Sequence, residues 1–374
     1  MEHSDLVQDG VTAARLRNTG VAMNRDVTSS GAEGLLTLLG LRGVGPHAAL
    51  RLARRFNTLG EILDARPEEI TAAASARALS AIRDGGAWET AHAKALDTLE
   101  RADGEDVRVL AVGDDKYPVW LKAIPDRPPV VYVKGRLPEG RRYVACIGTR
   151  EPSDFGVKVT ERVARFLAER GWSIVSGLAL GVDTLAHRAA LAGGGHTVAV
   201  LANGLDKVYP RKNARLADEI LDSGGAWLSE QSFGVPAVPR NLVQRDRLQS
   251  GMSVGTIVMQ TDVVGGSMHT VRFTLLQGRL LFAPVPTGRH AEEPKSRGIL
   301  ALSQQSGSEI CKIVDARGEY RDVLMSRFGS RPPAIPLSGR DDYDELLRRL
   351  EQAVAGAEAG TDTPGNGKSQ LDLF

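Results

Sequence analysis

The chain predicts an α/β fold, an extended, doubly wound and mostly parallel sheet. A small all-α domain precedes it and a disordered polar tail follows. Three observations predict the sheet. An apolar run without alternation at residues 144–147 reads as a strand buried on both faces. Glycine follows at once, and then apolar residues at Val159, Val163, Phe166 and Leu167, which is helical spacing. The pattern repeats with a strand over 173–176 and a second glycine turn over 177–181. Two such units in succession imply parallel strands joined by right-handed crossovers. In such sheets ligands sit beyond the carboxyl ends of the strands, where glycine lets backbone N–H groups approach an anion.

Composition bounds the rest. A length of 374 residues allows two or three domains, and 42% hydrophobic content can fill a sizeable core. There is no run of about 18 apolar residues and no basic-then-apolar start, so we expect no membrane span, no signal peptide and a cytoplasmic protein. Two cysteines, Cys146 and Cys311, cannot build a disulfide framework or a zinc cluster, and no metal or cofactor is expected. A net charge of +1 means that any nucleic-acid site must be a local patch on a neutral background.

In chain order, residues 1–30 are polar and aperiodic and read as a mobile lead. Residues 31–105 read as a helical domain. Its Leu41-Arg42-Gly43-Val44-Gly45 followed by apolar Ala49, Leu52 and Ala53 has the form of a helix–hairpin–helix. Such a hairpin can hold a DNA phosphate or simply pack a small helical domain. Residues 75–105 read as one more helix. Strands are expected over 107–112, 130–133, 197–201, 226–229, 256–260 and 280–284, with helices over 213–221 and 268–277, making 106–290 a Rossmann-like core. Residues 291–355 read as a segment covering the sheet edge, with a helix over 341–355. Residues 356–374 are too rich in Gly, Pro, Thr and Asp to bury a core.

The motifs in this order resemble those of the DNA-processing protein A family (DprA, also called Smf). The family's G-S-R turn matches Gly148-Thr149-Arg150. Its S-G-x-A-x-G-I-D…A-H matches the stretch from Ser176 through Gly181 and Asp183 to Ala186-His187. Its G-L-D…Y-P matches Gly204-Leu205-Asp206 and Tyr209-Pro210. Its approach segment matches Asp115, Tyr117-Pro118, Leu121, Pro128-Pro129, Tyr132 and Lys134-Gly135, so the resemblance covers about residues 35–286. It implies a homodimer that binds and protects single-stranded DNA and helps load the RecA recombinase. It is not expected to be an enzyme.

Three turns supply the candidate phosphate surface. They are Gly148, Thr149 and Arg150; then Ser176, Gly177 and Gly181; then Gly265, Gly266 and Ser267 ahead of a helix. Taken singly, each glycine only permits a tight turn. By resemblance, Arg150, Arg211, Lys212, Arg245 and Arg247 are the basic contacts, and the Arg fork suits phosphate. The family's R-N-R-I-I-S-G appears as Arg245-Asp246-Arg247-Leu248-Gln249-Ser250-Gly251. Asp246 departs from it, and an Arg–Asp–Arg cluster can equally be structural. Gln260 replaces a usual Glu, and His269 and Arg272 also depart.

Asp183 and His187 could form an acid/base pair, but an N-terminal helix carboxylate and a packed imidazole are the simpler reading. The competing functions are a nucleotide sensor and a phosphoribohydrolase-like enzyme. Against hydrolysis, Thr270 is followed by Val271-Arg272-Phe273, with no catalytic acid. The last five residues, Gln370, Leu371, Asp372, Leu373 and Phe374, resemble the bacterial sliding-clamp-binding motif Q-L-[S/D]-L-F. This implies the DNA polymerase clamp as a partner.

Overall fold

A computed structural model describes residues 24–359. Residues 1–23 of the expected mobile lead over 1–30, and the pentapeptide Gln370–Phe374, lie outside them. The chain divides between Asp97 and Thr98 into two compact units.

The first unit is helical. Helices α1 (Ala32–Gly40) and α2 (Pro46–Arg55) flank a hairpin in which Gly43 takes φ +88°, a conformation natural to glycine. Helices α3 (Leu59–Asp64), α4 (Pro67–Ala73) and α5 (Ala76–Arg83) follow, and then α6 (Gly85–Gly104), whose residues up to Asp97 belong to this unit. Leu35, Leu38, Leu52, Leu59 and Ile62 are fully buried and make its core. Two expectations are corrected here. Residues 25–30 belong to this unit: the N–H groups of Leu59 and Gly60 donate to the carbonyls of Val27 and Arg25, and Ser29 is buried. Their polar side chains concealed a pairing made by the backbone. Residues 75–105 form two helices, because Asp84 breaks the run and its carboxylate accepts from the Gly86 and Ala87 N–H groups.

The second unit is built on nine strands. In chain order it runs β1 (Val107–Ala111), α7 (Val119–Lys122), β2 (Val130–Gly135), β3 (Tyr143–Gly148), α8 (Asp154–Ala168), β4 (Ser173–Ser176), α9 (Val182–Ala192), β5 (Thr197–Val200), α10 (Ala214–Asp222) and β6 (Ala226–Ser229). Then come α11 (Pro239–Gly251), β7 (Gly255–Gln260), α12 (Ser267–Leu276) and β8 (Leu280–Pro284). With the later strand Ile335–Leu337 as β9, the spatial order is β1-β2-β6-β5-β4-β3-β7-β8-β9. Pairs involving β1–β2 and β2–β6 are antiparallel, and the others are parallel. The mostly parallel α/β sheet expected from the sequence is therefore the fold. From β3 the chain winds outward through β4, β5 and β6, and then returns to β7 on the other side. The winding reverses between β3 and β7, and a crevice at such a switch point is where ligands of doubly wound sheets sit.

Beyond residue 290 the chain does more than cover an edge. Helices α13 (Arg297–Gln304), α14 (Gly307–Ile313) and α15 (Gly318–Phe328) lead into β9 (Ile335–Leu337), which pairs with β8, and α16 (Tyr343–Glu358) closes the described chain. Three residues including Pro336 carry little strand signal, and the sheet edge is the place that tolerates proline. A capping box of Ser306 and Glu309 starts α14.

Candidate nucleic-acid interface

The site lies at that switch point. β3 ends at Gly148, where a side chain would meet Val182 at 2.6 Å and the Gln260 carbonyl at 2.9 Å. Thr149 N–H donates to that carbonyl (2.8 Å), and Thr149 O accepts from Val182 N–H (3.1 Å). Gly181, at φ +80°, packs so closely that a Cβ would lie 2.4 Å from the Arg150 carbonyl carbon. The first two glycine turns therefore rest on each other, and Arg150 stands exposed at the strand end.

The second turn is already occupied from within. Asp183 Oδ2 accepts from Gly177 N–H (3.1 Å) and Ala179 N–H (3.2 Å). Burial raises the Asp183 carboxyl above its usual range, opposed by Arg245 and these N–H donors. Ser176 Oγ donates to the Cys146 carbonyl (2.7 Å). Leu178, at φ +59°, is the strained residue of the turn. Arg245 is buried at 5% exposure; its Nη1 donates to Gly177 O (2.5 Å) and Val200 O (2.6 Å), and its Nε lies 3.4 Å from Asp246. Arg247 is ion-paired with Glu230 and, at 3.4 Å, with Asp126. Of the five basic contacts expected, Arg245 and Arg247 are thus engaged inside the protein, and the structural alternative for the Arg–Asp–Arg cluster is the one observed. His187 is fully buried, its Nδ1 is 2.7 Å from Thr197 Oγ1, and burial pushes its pKa down to about 3. It is a neutral core imidazole.

The third turn is open. Gly265, Gly266 and Ser267 start α12, and a side chain at Gly266 would meet nothing within 4 Å. The Gly266 and Ser267 N–H groups, unlike those of Gly177 and Ala179, meet no acceptor among the described residues. Between this turn, Thr149–Arg150 and α11 lies a cavity of about 570 Å³. α11 lines it with Pro239, Leu242, Val243 and Asp246, a helical stripe that is apolar at one end and acidic at the other. A smaller pocket beside it is lined by Arg150, Leu180, Tyr209, Pro210 and Leu242. Arg211 and Lys212 follow Pro210 in an exposed 3₁₀ turn. Leu180, Tyr209, Val243 and Val264 are exposed apolar residues on or beside these walls, Val264 at 89%.

Two residues outside the expected set hold the site together. Gln260 Oε1 accepts from Ser153 N–H (2.9 Å), while its Nε2 donates to Ser153 Oγ, Ser296 Oγ and Glu293. Lys295 lines the cavity and donates to the Glu151 carbonyl. The sequence places it only in a segment covering the sheet edge; the Lys295 bond to the Glu151 carbonyl and the Gly298 N–H bond to the Thr261 carbonyl bring the stretch to the cavity, and nothing local announces that return.

The described residues thus define a doubly wound α/β protein with an open cleft at the switch point of its sheet. The chain belongs to the DNA recombination-mediator protein A family, whose model matches residues 108–320. It is 41% identical over 179 residues to Protein Smf of Escherichia coli (strain K12), a match spanning 47% of this chain and about half (48%) of that protein. It is 35% identical to DNA processing protein DprA of Bacillus subtilis (strain 168), over 56% of this chain and 70% of that one. The X-ray structure of DNA processing protein A from Streptococcus pneumoniae superposes with a TM-score of 0.62 at 27% identity, covering 84% of this chain and 97% of that chain.

Proposed function

We propose that this chain is a single-stranded-DNA-binding protein of DNA processing, acting by binding and not by catalysis. The observation that carries the reading is the pairing, in one open cleft, of the exposed Arg150 with the uncapped start of α12. Both favour an oxyanion, and the arginine fork suits a phosphate. Arg211 and Lys212 extend the basic lip. The exposed apolar residues along the walls suit unstacked bases, which a duplex would keep to itself. Family membership supports the finer parts of the reading: a cytoplasmic homodimer that protects the strand and helps load RecA. The resemblance of Gln370–Phe374 to the clamp motif supports docking on the sliding clamp, a mode in which few residues need ordering.

The test is a salt series with labelled oligo-dT and a matched duplex. Binding should favour the single strand and weaken linearly in log[salt]. Equal or tighter duplex binding, or titration by free nucleotides alone, overturns the reading. Clamp docking is tested separately: a peptide over residues 368–374 should bind purified clamp, and replacing Leu373 and Phe374 by Ala should abolish it.

A further inference from the structure

Two loops beyond the carboxyl ends of β5 and β6 serve the cleft. The first, residues 203–213, carries the exposed Tyr209, Arg211 and Lys212. The second, residues 230–238, runs into α11, whose Leu242 and Val243 line the cavity. This second loop is seated on the sheet. Tyr132 of β2 is 1% exposed, its hydroxyl lies 2.9 Å from Ser232 Oγ, and its ring packs edge-on against Phe233 with centroids 5.6 Å apart. Asp206 of the first loop reaches across to it, Oδ1 accepting from Gly234 N–H at 2.9 Å. Arg101, in the last turn of α6 and within the second unit, closes the junction. Its Nη2 lies 3.4 Å from Asp206 Oδ2, and its guanidinium carbon lies 4.7 Å from the centre of the Phe233 ring. One planar cation thus meets a carboxylate from one loop by charge and an aromatic face from the other by stacking.

The basic lip is held at its two ends. Asn213 anchors the far one, its Nδ2 donating to Leu178 O at 2.7 Å and to Thr184 Oγ1 at 2.8 Å. Between the ends, the side chains of Tyr209, Arg211 and Lys212 make no hydrogen bond or ion pair among the described residues. Arg101 itself lines neither cavity. Resting on the proposed single-strand function, we infer that Arg101 is a positioning residue for it: through Asp206 it sets the place of the lip that carries Tyr209, Arg211 and Lys212. The strand then meets a lip already in position, and ordering it takes less from the binding. The fold does not depend on the pair. Gly204 N–H also joins the two loops, donating to Val235 O at 3.0 Å, and the Arg101 side chain is 44% exposed, where an ion pair adds little to stability.

The experiment compares the full chain with Arg101→Gln, with Asp206→Asn, which keeps an acceptor for Gly234 N–H, and with the double variant. Each is read by oligo-dT anisotropy across a salt series, by melting temperature, and by trypsin cleavage after Arg211 and Lys212 without DNA. Arg101→Gln should bind about fivefold more weakly, the scale of ordering one or two side chains on binding. Its salt slope should not change, because the same phosphates are neutralised. Its melting temperature should stay within about two degrees, while cleavage at the lip becomes faster. Asp206→Asn should match it, and the double variant should be no weaker than either, since all three lose one shared interaction. Unaltered affinity, unaltered cleavage, or losses that add overturn the inference and leave the proposed function standing. A salt slope lower by about one makes Arg101 a phosphate contact and also overturns it. So does a larger fall in melting temperature, which makes Arg101 a residue of the fold. A full chain that binds no oligo-dT fails the proposed function itself, and the inference falls with it.

Discussion

Two glycine turns of this protein, residues 177–181 and 265–267, look alike in sequence and differ in what they leave free. Each follows a parallel strand and each precedes a helix. In the first, the N–H groups of Gly177 and Ala179 are bonded to Asp183, a carboxylate of the helix that the turn itself starts. In the second, Gly266 and Ser267 line the cavity, and the Asp262 carboxylate in the same loop accepts from Val263 N–H instead. A strand-end glycine thus says that backbone can approach an anion. It does not say whose anion. In one turn the protein supplies its own, and the turn packs against the Thr149–Arg150 backbone; in the other the N–H groups of Gly266 and Ser267 meet no acceptor among the described residues.

The sharpest way to break this comparison is Asp183→Ala. If Asp183 is the built-in anion, its loss leaves two N–H groups unsatisfied and the buried Arg245 with less compensation. Stability should fall by about 3 kcal/mol, the scale of removing one partner from a buried charged network. Denaturant unfolding checks this. An unchanged midpoint, with stronger phosphate binding at the vacated turn, would make both turns ligand sites. Next in size is Arg150→Ala, which should weaken oligo-dT binding about tenfold, similarly for all sequences, and lower the salt slope by about one. A salt slope that stays the same would separate Arg150 from the phosphates. Ser267→Glu then probes the open turn directly. A carboxylate at the start of α12 should raise stability by a few tenths of a kcal/mol, as anions do there, while competing with phosphate and weakening DNA binding several-fold. Tighter or unaltered binding would mean that the start of α12 is not used.

Much of this was legible beforehand, and what was not has a physical cause. Buried parallel strands announce themselves as apolar runs, so β3, β4, β6 and β8 fell where the sequence put them. Strand β9 did not, since three edge residues with a proline carry no period. Arg150 and the α12 turn were legible because glycine and a strand end suffice. The burial of Arg245 was not: an arginine reads as a surface cation until the carbonyls of Gly177 and Val200, 68 and 45 residues away in sequence, are seen to converge on it. The same holds for Gln260, whose value lies in donating and accepting at once. Its Nε2 faces Glu293, which a glutamate there could not do without repulsion.

The smallest expected effect concerns pH and the acidic end of the α11 stripe. Burial raises the Asp246 carboxyl from 3.8 to about 6, with Asp183 adding to the rise and Arg245, Arg150 and the Gln249 amide opposing it. Above pH 6 the group is charged and stands beside the phosphates that Arg150 would hold; below it the charge is gone. Affinity for oligo-dT should therefore rise as pH falls from 7.5 to 5.5, by about threefold, which is under 1 kcal/mol and fits a charge partly screened by water. The folded state gains from the same proton. A carboxyl whose folded pKa is raised stabilises the fold most below 3.8, and that contribution is lost as pH rises through about 6. His269 shares the cavity, so the comparison belongs in a His269→Gln background, with and without Asp246→Asn. The asparagine protein should bind with a flat profile across the interval. A profile that keeps its slope would place the titrating group elsewhere in the cleft and remove Asp246 from the strand's path.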